Sequence, residues 1–229
     1  MSDEIATASL KTPRKPERPI LWIIAGPNGS GKSSLYNRTD IEGWGGTVWI
    51  VNPDLLTATL MESEHFSQKA ANLAAVQRIE AWLDRSIDVH QTVGVETVLS
   101  TGKYRKLVRR AISLGFEVRL IFVFLQDVKT QLERIAIRVS EGGHGVPKLK
   151  VKSRRVRSLR QLMWFARNVH RVYLFDNSTA EPSLVAFKES KKGSRTALAL
   201  WDRLPVDLRA MLQRHQIKDG VTLVERLTA

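Results

Sequence analysis

Six apolar residues, Ile20-Leu-Trp-Ile-Ile-Ala25, run without a break into Gly26-Pro-Asn-Gly-Ser-Gly-Lys-Ser33. No other stretch restricts the chain so strongly. A continuous apolar run that halts at glycines reads as a strand buried on both faces. The octet that follows satisfies G-x-x-x-x-G-K-[ST] in the position the pattern requires. Gly26, Gly29 and Gly31 permit backbone conformations closed to other residues, so successive N–H groups can converge on phosphate oxygens. A helix opening near Lys32 adds its positive end. Lys32 is then placed to reach β- and γ-phosphates, and Ser33 to offer its hydroxyl to Mg²⁺. Gly26, Pro27, Asn28, Gly29, Ser30, Gly31, Lys32, Ser33 and the adjoining Ser34 form a candidate site for a nucleoside triphosphate. The competing reading is a plain glycine turn between a strand and a helix. The pattern leaves open whether the γ-phosphoryl goes to water, a small molecule or a protein.

Short apolar runs recur at residues 48–51, 92–98, 118–125 and 172–175. Between them lie helical patterns over residues 68–88, 103–114 and 127–141, with a further helix over about 150–169 and a last amphipathic one over 205–213. This alternation predicts an α/β fold in three layers, a mainly parallel five-stranded sheet covered on both faces. The segment 188–195 reads as an exposed turn or loop. No repeat or long linker divides the chain. Its expected organisation is a loose tail over residues 1–19 and one domain over 20–229, with a lid at about 138–160 and a helical extension at about 196–229.

Two carboxylates stand out. Asp54 follows the second apolar run in Val51-Asn-Pro-Asp54, where Pro53 stops the strand, so its carboxylate belongs at the rim that holds the phosphate loop. An N-cap for the next helix is the equal alternative. Glu96 is the odd residue of an otherwise apolar strand. It is costly to bury unless it is paired or faces a polar cleft, and it lies at the carboxyl end, where ligands of open α/β sheets collect. A structural salt bridge is its alternative. Thr97, Ser100 and Thr101 follow as candidate hydroxyl ligands, although Thr101 also reads as an N-cap.

Lys and Arg total 36 against 23 Asp and Glu, a net charge of +13 that predicts anionic partners. The surplus is concentrated. Residues 142–175 contain nine Lys or Arg and no acid, and open on the glycine-flanked His144. A hinge and basic helix of this kind form a lid that swings arginines over a transferring phosphoryl group. A solvated helix face and a nucleic-acid surface compete with that reading. The absence of cysteine excludes disulfides, thiolate metal sites and a Cys nucleophile. The start carries no secretory signal pattern and no run is long enough to span a membrane, so a cytoplasmic protein is expected.

Together, Gly26-Pro-Asn-Gly-Ser-Gly-Lys-Ser-Ser34, Asn52-Pro-Asp54, Glu96-Thr-Val-Leu-Ser100, Gly142-Gly-His-Gly-Val-Pro147, Arg157-Ser-Leu159 and Asp176-Asn-Ser178 resemble the zeta toxin family of P-loop kinases, in the family's order. The resemblance implies an ATP-dependent phosphotransferase with a shikimate-kinase-like or chloramphenicol-phosphotransferase-like core. Its implied acceptor is an anionic small molecule, such as the UDP-activated amino sugar UDP-N-acetylglucosamine. It further implies that Lys32 and Ser33 hold ATP and Mg²⁺, that Asp54 is the general base, that Glu96 is the acceptor-site carboxylate with His144 nearby, and that Arg138 and Arg154 clamp the phosphates. A small helical antitoxin protein is the implied inhibitor. The sequence departs from the family at Val98, Arg155 and Gln161, around the acceptor pocket and lid helix. An ATP-binding switch with weak hydrolysis and a nucleic-acid-directed kinase or binder remain the alternatives, nucleic acid being the less expected partner.

Overall fold

A computed structural model describes residues 18–36, 48–143, 145–191, 194–219 and 225–227. Its first strand, β1 (Ile20–Ala25), is the apolar run before the glycine octet, and Leu21 through Ala25 are entirely buried. The core is completed by β2 (Trp49–Val51), β3 (Val93–Thr97), β4 (Glu117–Phe124) and β5 (Arg171–Asp176). These five strands are parallel, in the order β2-β3-β1-β4-β5. β1 therefore lies at the centre, with chain order reversing on either side, and such a switch point opens a crevice beyond the carboxyl ends of the strands. The register sets Glu96 beside Ile24, two residues before the octet begins.

The helices are α1 (Lys32–Tyr36), α2 (Pro53–Ser63), α3 (Gln68–Asp88), α4 (Tyr104–Ser113), α5 (Val128–Ser140), α6 (Lys148–Asn168) and α7 (Val206–Asp219). On one face of the sheet, Ile79, Leu83 and Ile87 of α3, Val108 of α4, Leu159 and Leu162 of α6 and Leu208 of α7 close over Leu21, Ile23, Val95, Leu120 and Phe122. On the other face Leu35 of α1 joins Trp22, Ile24, Ile121, Val123 and Phe175. Among the described residues no helix is long and apolar enough to cross a membrane.

The expected five-stranded core is present, but the sheet continues to eight strands. β6 (Ser183–Lys191) runs antiparallel to β5, β7 (Ser194–Leu200) antiparallel to β6, and β8 (Glu225–Leu227) parallel to β7. The reading of 188–195 as a loop is thereby corrected: it comprises the facing ends of β6 and β7, paired out to Lys191 opposite Ser194. The helical extension over 196–229 is corrected as well, since α7 lies between two strands. Of the loose tail expected over residues 1–19, residues 1–17 fall outside the described residues, as does His144; residues 18 and 19 are tied down instead, Arg18 donating to the Phe116 carbonyl at 2.9 Å and the Pro19 carbonyl accepting from the Glu117 N–H at 2.9 Å.

The expected lid proves less free than its composition implied. α6 is one unbroken helix in which Val151, Arg155, Ser158 and Leu159 are buried. Arg155 donates from Nε and Nη2 to both carboxylate oxygens of Asp207 on α7, at 2.8 and 3.1 Å, and from Nη1 to the Leu125 carbonyl at 2.8 Å. A planar guanidinium used on several edges is a fixed post. Arg155 anchors the helix rather than swinging over a ligand.

Candidate active site

The octet forms the turn its glycines require. Gly29 and Gly31 have φ of 76° and 83°, and a Cβ on Gly31 would lie 2.2 Å from Asn177 Nδ2. That amide holds the loop by donating to the Ser30 carbonyl at 2.9 Å. Gly26, Pro27 and Ser30 lie beneath the turn, off the cavity surface, where the Pro27 carbonyl accepts from Lys32 Nζ at 3.3 Å. Asn28, Gly29, Gly31, Lys32, Ser33 and Ser34 face a cavity of about 960 Å³.

Glu96 is the hub of this cleft. Its Oε2 accepts from Ser33 Oγ at 2.7 Å and from Asn52 Nδ2 at 2.9 Å, while Oε1 lies 3.8 Å from Lys32 Nζ. The salt-bridge alternative is therefore real, yet the residue also lines the cavity. The pairing supplies the partners that a carboxylate only 8% exposed requires. Burial depresses the Lys32 amine below its ordinary value; the charges of Glu96 and Asp54 oppose that depression, and Arg138 adds to it.

Asn52, not Asp54, caps α2: its Oδ1 accepts from the backbone N–H of Asp54 at 2.9 Å and of Leu55 at 3.4 Å. Asp54 is thereby released from the capping alternative. It is exposed in the first turn of α2, lines the same cavity as Lys32 and acts electrostatically on it. The cap reading of Thr101 also falls away, because α4 begins at Tyr104 with no side-chain cap. Thr97, Ser100 and Thr101 all line the cavity. Leu99 holds a left-handed φ of 54°, and Ser158 of α6 donates to the Val98 carbonyl at 2.8 Å, which ties this loop to α6.

Arg138 and Arg154 converge on the cleft from α5 and α6. Arg154 Nη1 lies 3.4 Å from Asn28 Oδ1 in the phosphate loop. Gly143 leaves room for Arg138, since a Cβ there would approach Arg138 Cγ to 2.7 Å. Sequence reasoning gave no role to Arg134, Lys103, Tyr104 or Asn72, which also line the cavity. Only Asn52 and Asn177 carried a signal, as members of quoted motifs. With Lys32, Lys103, Arg134, Arg138 and Arg154 facing Asp54 and Glu96, the cleft is strongly cationic. Such a cleft attracts and holds phosphates.

The description Zeta toxin belongs to the family model that matches residues 2–192. An uncharacterized protein of Haemophilus influenzae is 26% identical over 146 residues, covering 60% of this chain and 98% of that protein. Among solved structures, the native AvrRxo1-ORF1:-ORF2 complex superposes with a TM-score of 0.61 at 19% identity, over 88% of this chain and 66% of that one. A chain from the PezAT toxin-antitoxin system of Streptococcus pneumoniae gives 0.54 at 16% identity, over 79% of this chain and 75% of that one. This chain spans 58% to 66% of the AvrRxo1 chains it matches. At such identities the structural likeness is one of fold, and it is the family match, spread over the phosphate loop, both carboxylates and α6, that assigns membership. The chain belongs to the Zeta toxin family of P-loop kinases.

Proposed function

We propose that this kinase transfers the γ-phosphoryl group of ATP to a hydroxyl of an anionic small molecule, of the class of UDP-activated amino sugars such as UDP-N-acetylglucosamine. One observation carries the reading: Asp54, free of any capping duty, shares with Lys32 a cavity that extends past the phosphate loop to a second wall of Thr97, Ser100, Thr101, Asn72 and Tyr104. An AvrRxo1-ORF1:-ORF2 structure with ATP, 22% identical to this chain over 74% of its length, supports ATP as the donor.

In this reading Asp54 accepts the proton of the acceptor hydroxyl as its oxygen attacks the γ-phosphorus, and the bond to the β,γ-bridging oxygen breaks to leave ADP. Lys32, Arg138 and Arg154 offset the charge spread over the transferred group. Ser33, beside Glu96, offers the hard oxygen donors that suit Mg²⁺, a cation bound through one or two protein oxygens together with phosphates. Held there, Mg²⁺ would supply charge neutralisation for the phosphates. The cationic cleft fits a diphosphate-bearing acceptor. The PezAT toxin-antitoxin system, to which a structural neighbour belongs, supports an antitoxin protein as partner, which in this reading is a small protein that blocks the nucleotide side of the cleft.

The test is incubation with labelled ATP, Mg²⁺ and a panel of nucleotide sugars and metabolites, with mass spectrometry for the gain of one phosphate. A phosphorylated nucleotide sugar is the expected product. Phosphate released to water alone across the panel would replace the reading with that of a weakly hydrolytic switch.

A further inference from the structure

Helix α4 treats its two flanks differently. On the flank toward α3, Arg110 is bridged to Asp84 and Asp88, and Lys103 lies 3.3 Å from Glu80. On the flank toward α6, Arg105 and Arg109 form no ion pair among the described residues, and neither α4 nor α6 contains an acidic residue. Their guanidinium carbons instead lie 5.0 and 5.3 Å from the ring centre of Trp164 on α6. Arg105 Nε also donates to Gln161 at 3.0 Å. Stacking engages the face of a guanidinium and fixes its position while leaving its in-plane N–H edges to bond outward.

Along α6 the exposed positions Lys150, Arg157 and Arg160 continue the same surface up to Gln161 and Trp164. From Lys150 to Trp164 they follow the three- and four-residue spacing of one helix face, about 21 Å long at ~1.5 Å per residue. Arg157 and Arg160 have no ion pair among the described residues either. The result is a ridge of preplaced, unneutralised guanidiniums around an aromatic ring. None of Arg105, Arg109, Arg157, Arg160 or Trp164 lines the catalytic cavity.

We infer that the α4–α6 ridge is a binding surface for the phosphate backbone of a single-stranded nucleic acid. Arginine forks match phosphate oxygens bidentately, and a row of them along a helix tracks a repeating anion. Nothing in this surface depends on the kinase reading, so the two stand or fall separately.

The probe is a fluorescein-labelled, unstructured RNA of about 20 nucleotides, titrated with the full chain from about 50 to about 200 mM salt and read by anisotropy. The parent should bind with a log–log salt slope of about −0.7 per phosphate contact. R105Q/R109Q/R157Q/R160Q should flatten that slope by about 3 and weaken binding by more than about tenfold at about 100 mM salt. R157Q/R160Q, which alters only solvent-projecting side chains, should give about half the slope change and guards against a folding defect. K69Q/R85Q/K129Q, which removes exposed cations elsewhere, should leave binding near the parent's. Equal losses in the remote and ridge variants, or no binding by the parent at about 100 mM salt, would overturn the inference. So would ridge-dependent capture of polyglutamate in preference to RNA, which would assign the surface to an acidic protein.

Discussion

The two walls of the cleft are built differently. The phosphate-loop wall is fixed by backbone: left-handed glycines, the Asn177 brace on the Ser30 carbonyl, and Asn28, Ser30 and Lys32 buried. The opposite wall, from the first turn of α2 and the start of α4, presents exposed side chains such as Asp54, Thr101 and Lys103. Glu96 joins them, taking one hydrogen bond from Ser33 on the first wall and one from Asn52 on the second. The difference separates tasks. Donor binding depends on geometry that few substitutions leave intact, while acceptor choice rests on side chains that can change without disturbing the fold.

The largest effect that can break this contrast is on the side-chain wall. Asp54→Asn keeps shape and removes the base, so phosphoryl transfer should fall by ~10²–10⁴-fold while ATP affinity stays nearly unchanged. Single-turnover transfer and nucleotide titration measure the two separately. Turnover equal to the parent's would remove Asp54 from the chemistry and leave the second wall without a catalytic group.

Gly31→Ala probes the other wall and should act in the opposite sense. The new Cβ would sit 2.2 Å from Asn177 Nδ2 at a φ of 83°, so the loop or its brace must shift. A displacement on the order of 1 Å costs ~100-fold when it misplaces reacting groups. Here it should appear in ATP affinity by calorimetry, with global stability reduced only by about 1 kcal/mol for the left-handed strain. Unaltered ATP affinity would show that the loop adapts, and the contrast between walls would fail.

How much of this was legible in sequence follows the same division. The phosphate-loop wall was readable because its constraint is local: glycines and a lysine at fixed offsets after an apolar run state their own geometry. Asp54 was placed at the rim by Pro53, but its release from capping depended on Asn52, two residues earlier, taking that duty. Tyr104, Asn72 and Arg134 reach the cavity only through helix packing across long sequence separations, for which a linear pattern gives no sign. Arg155 read as one more arginine of the basic lid helix, since its partner Asp207 lies 52 positions away. The ends of β6 and β7 were hidden by Lys188-Glu-Ser-Lys-Lys-Gly-Ser-Arg195, whose charge and glycine mimic a loop. That stretch is the end of a hairpin, where Lys191 pairs with Ser194, so turn-like residues and strand pairing coexist there.

Glu96→Gln sharpens the comparison with the smallest effect. Glutamine can still accept from Ser33 and Asn52, so the walls remain joined, but the counter-charge beside Lys32 disappears. Burial already holds the Lys32 amine below its ordinary value, with Glu96 the foremost charge opposing that depression. Without it the amine loses its proton at a lower pH. Only the protonated amine attracts phosphate, so ATP affinity should decline as pH rises, and in the variant this limb should move to lower pH. Acid-side behaviour should not change, because Lys32 is charged there in both proteins. Calorimetric titrations across a range of pH read the shift directly. A limb that stays in place would mean that Asp54, on the exposed wall, supplies the compensating charge, and that Glu96 serves as a hydrogen-bonding strut between the walls.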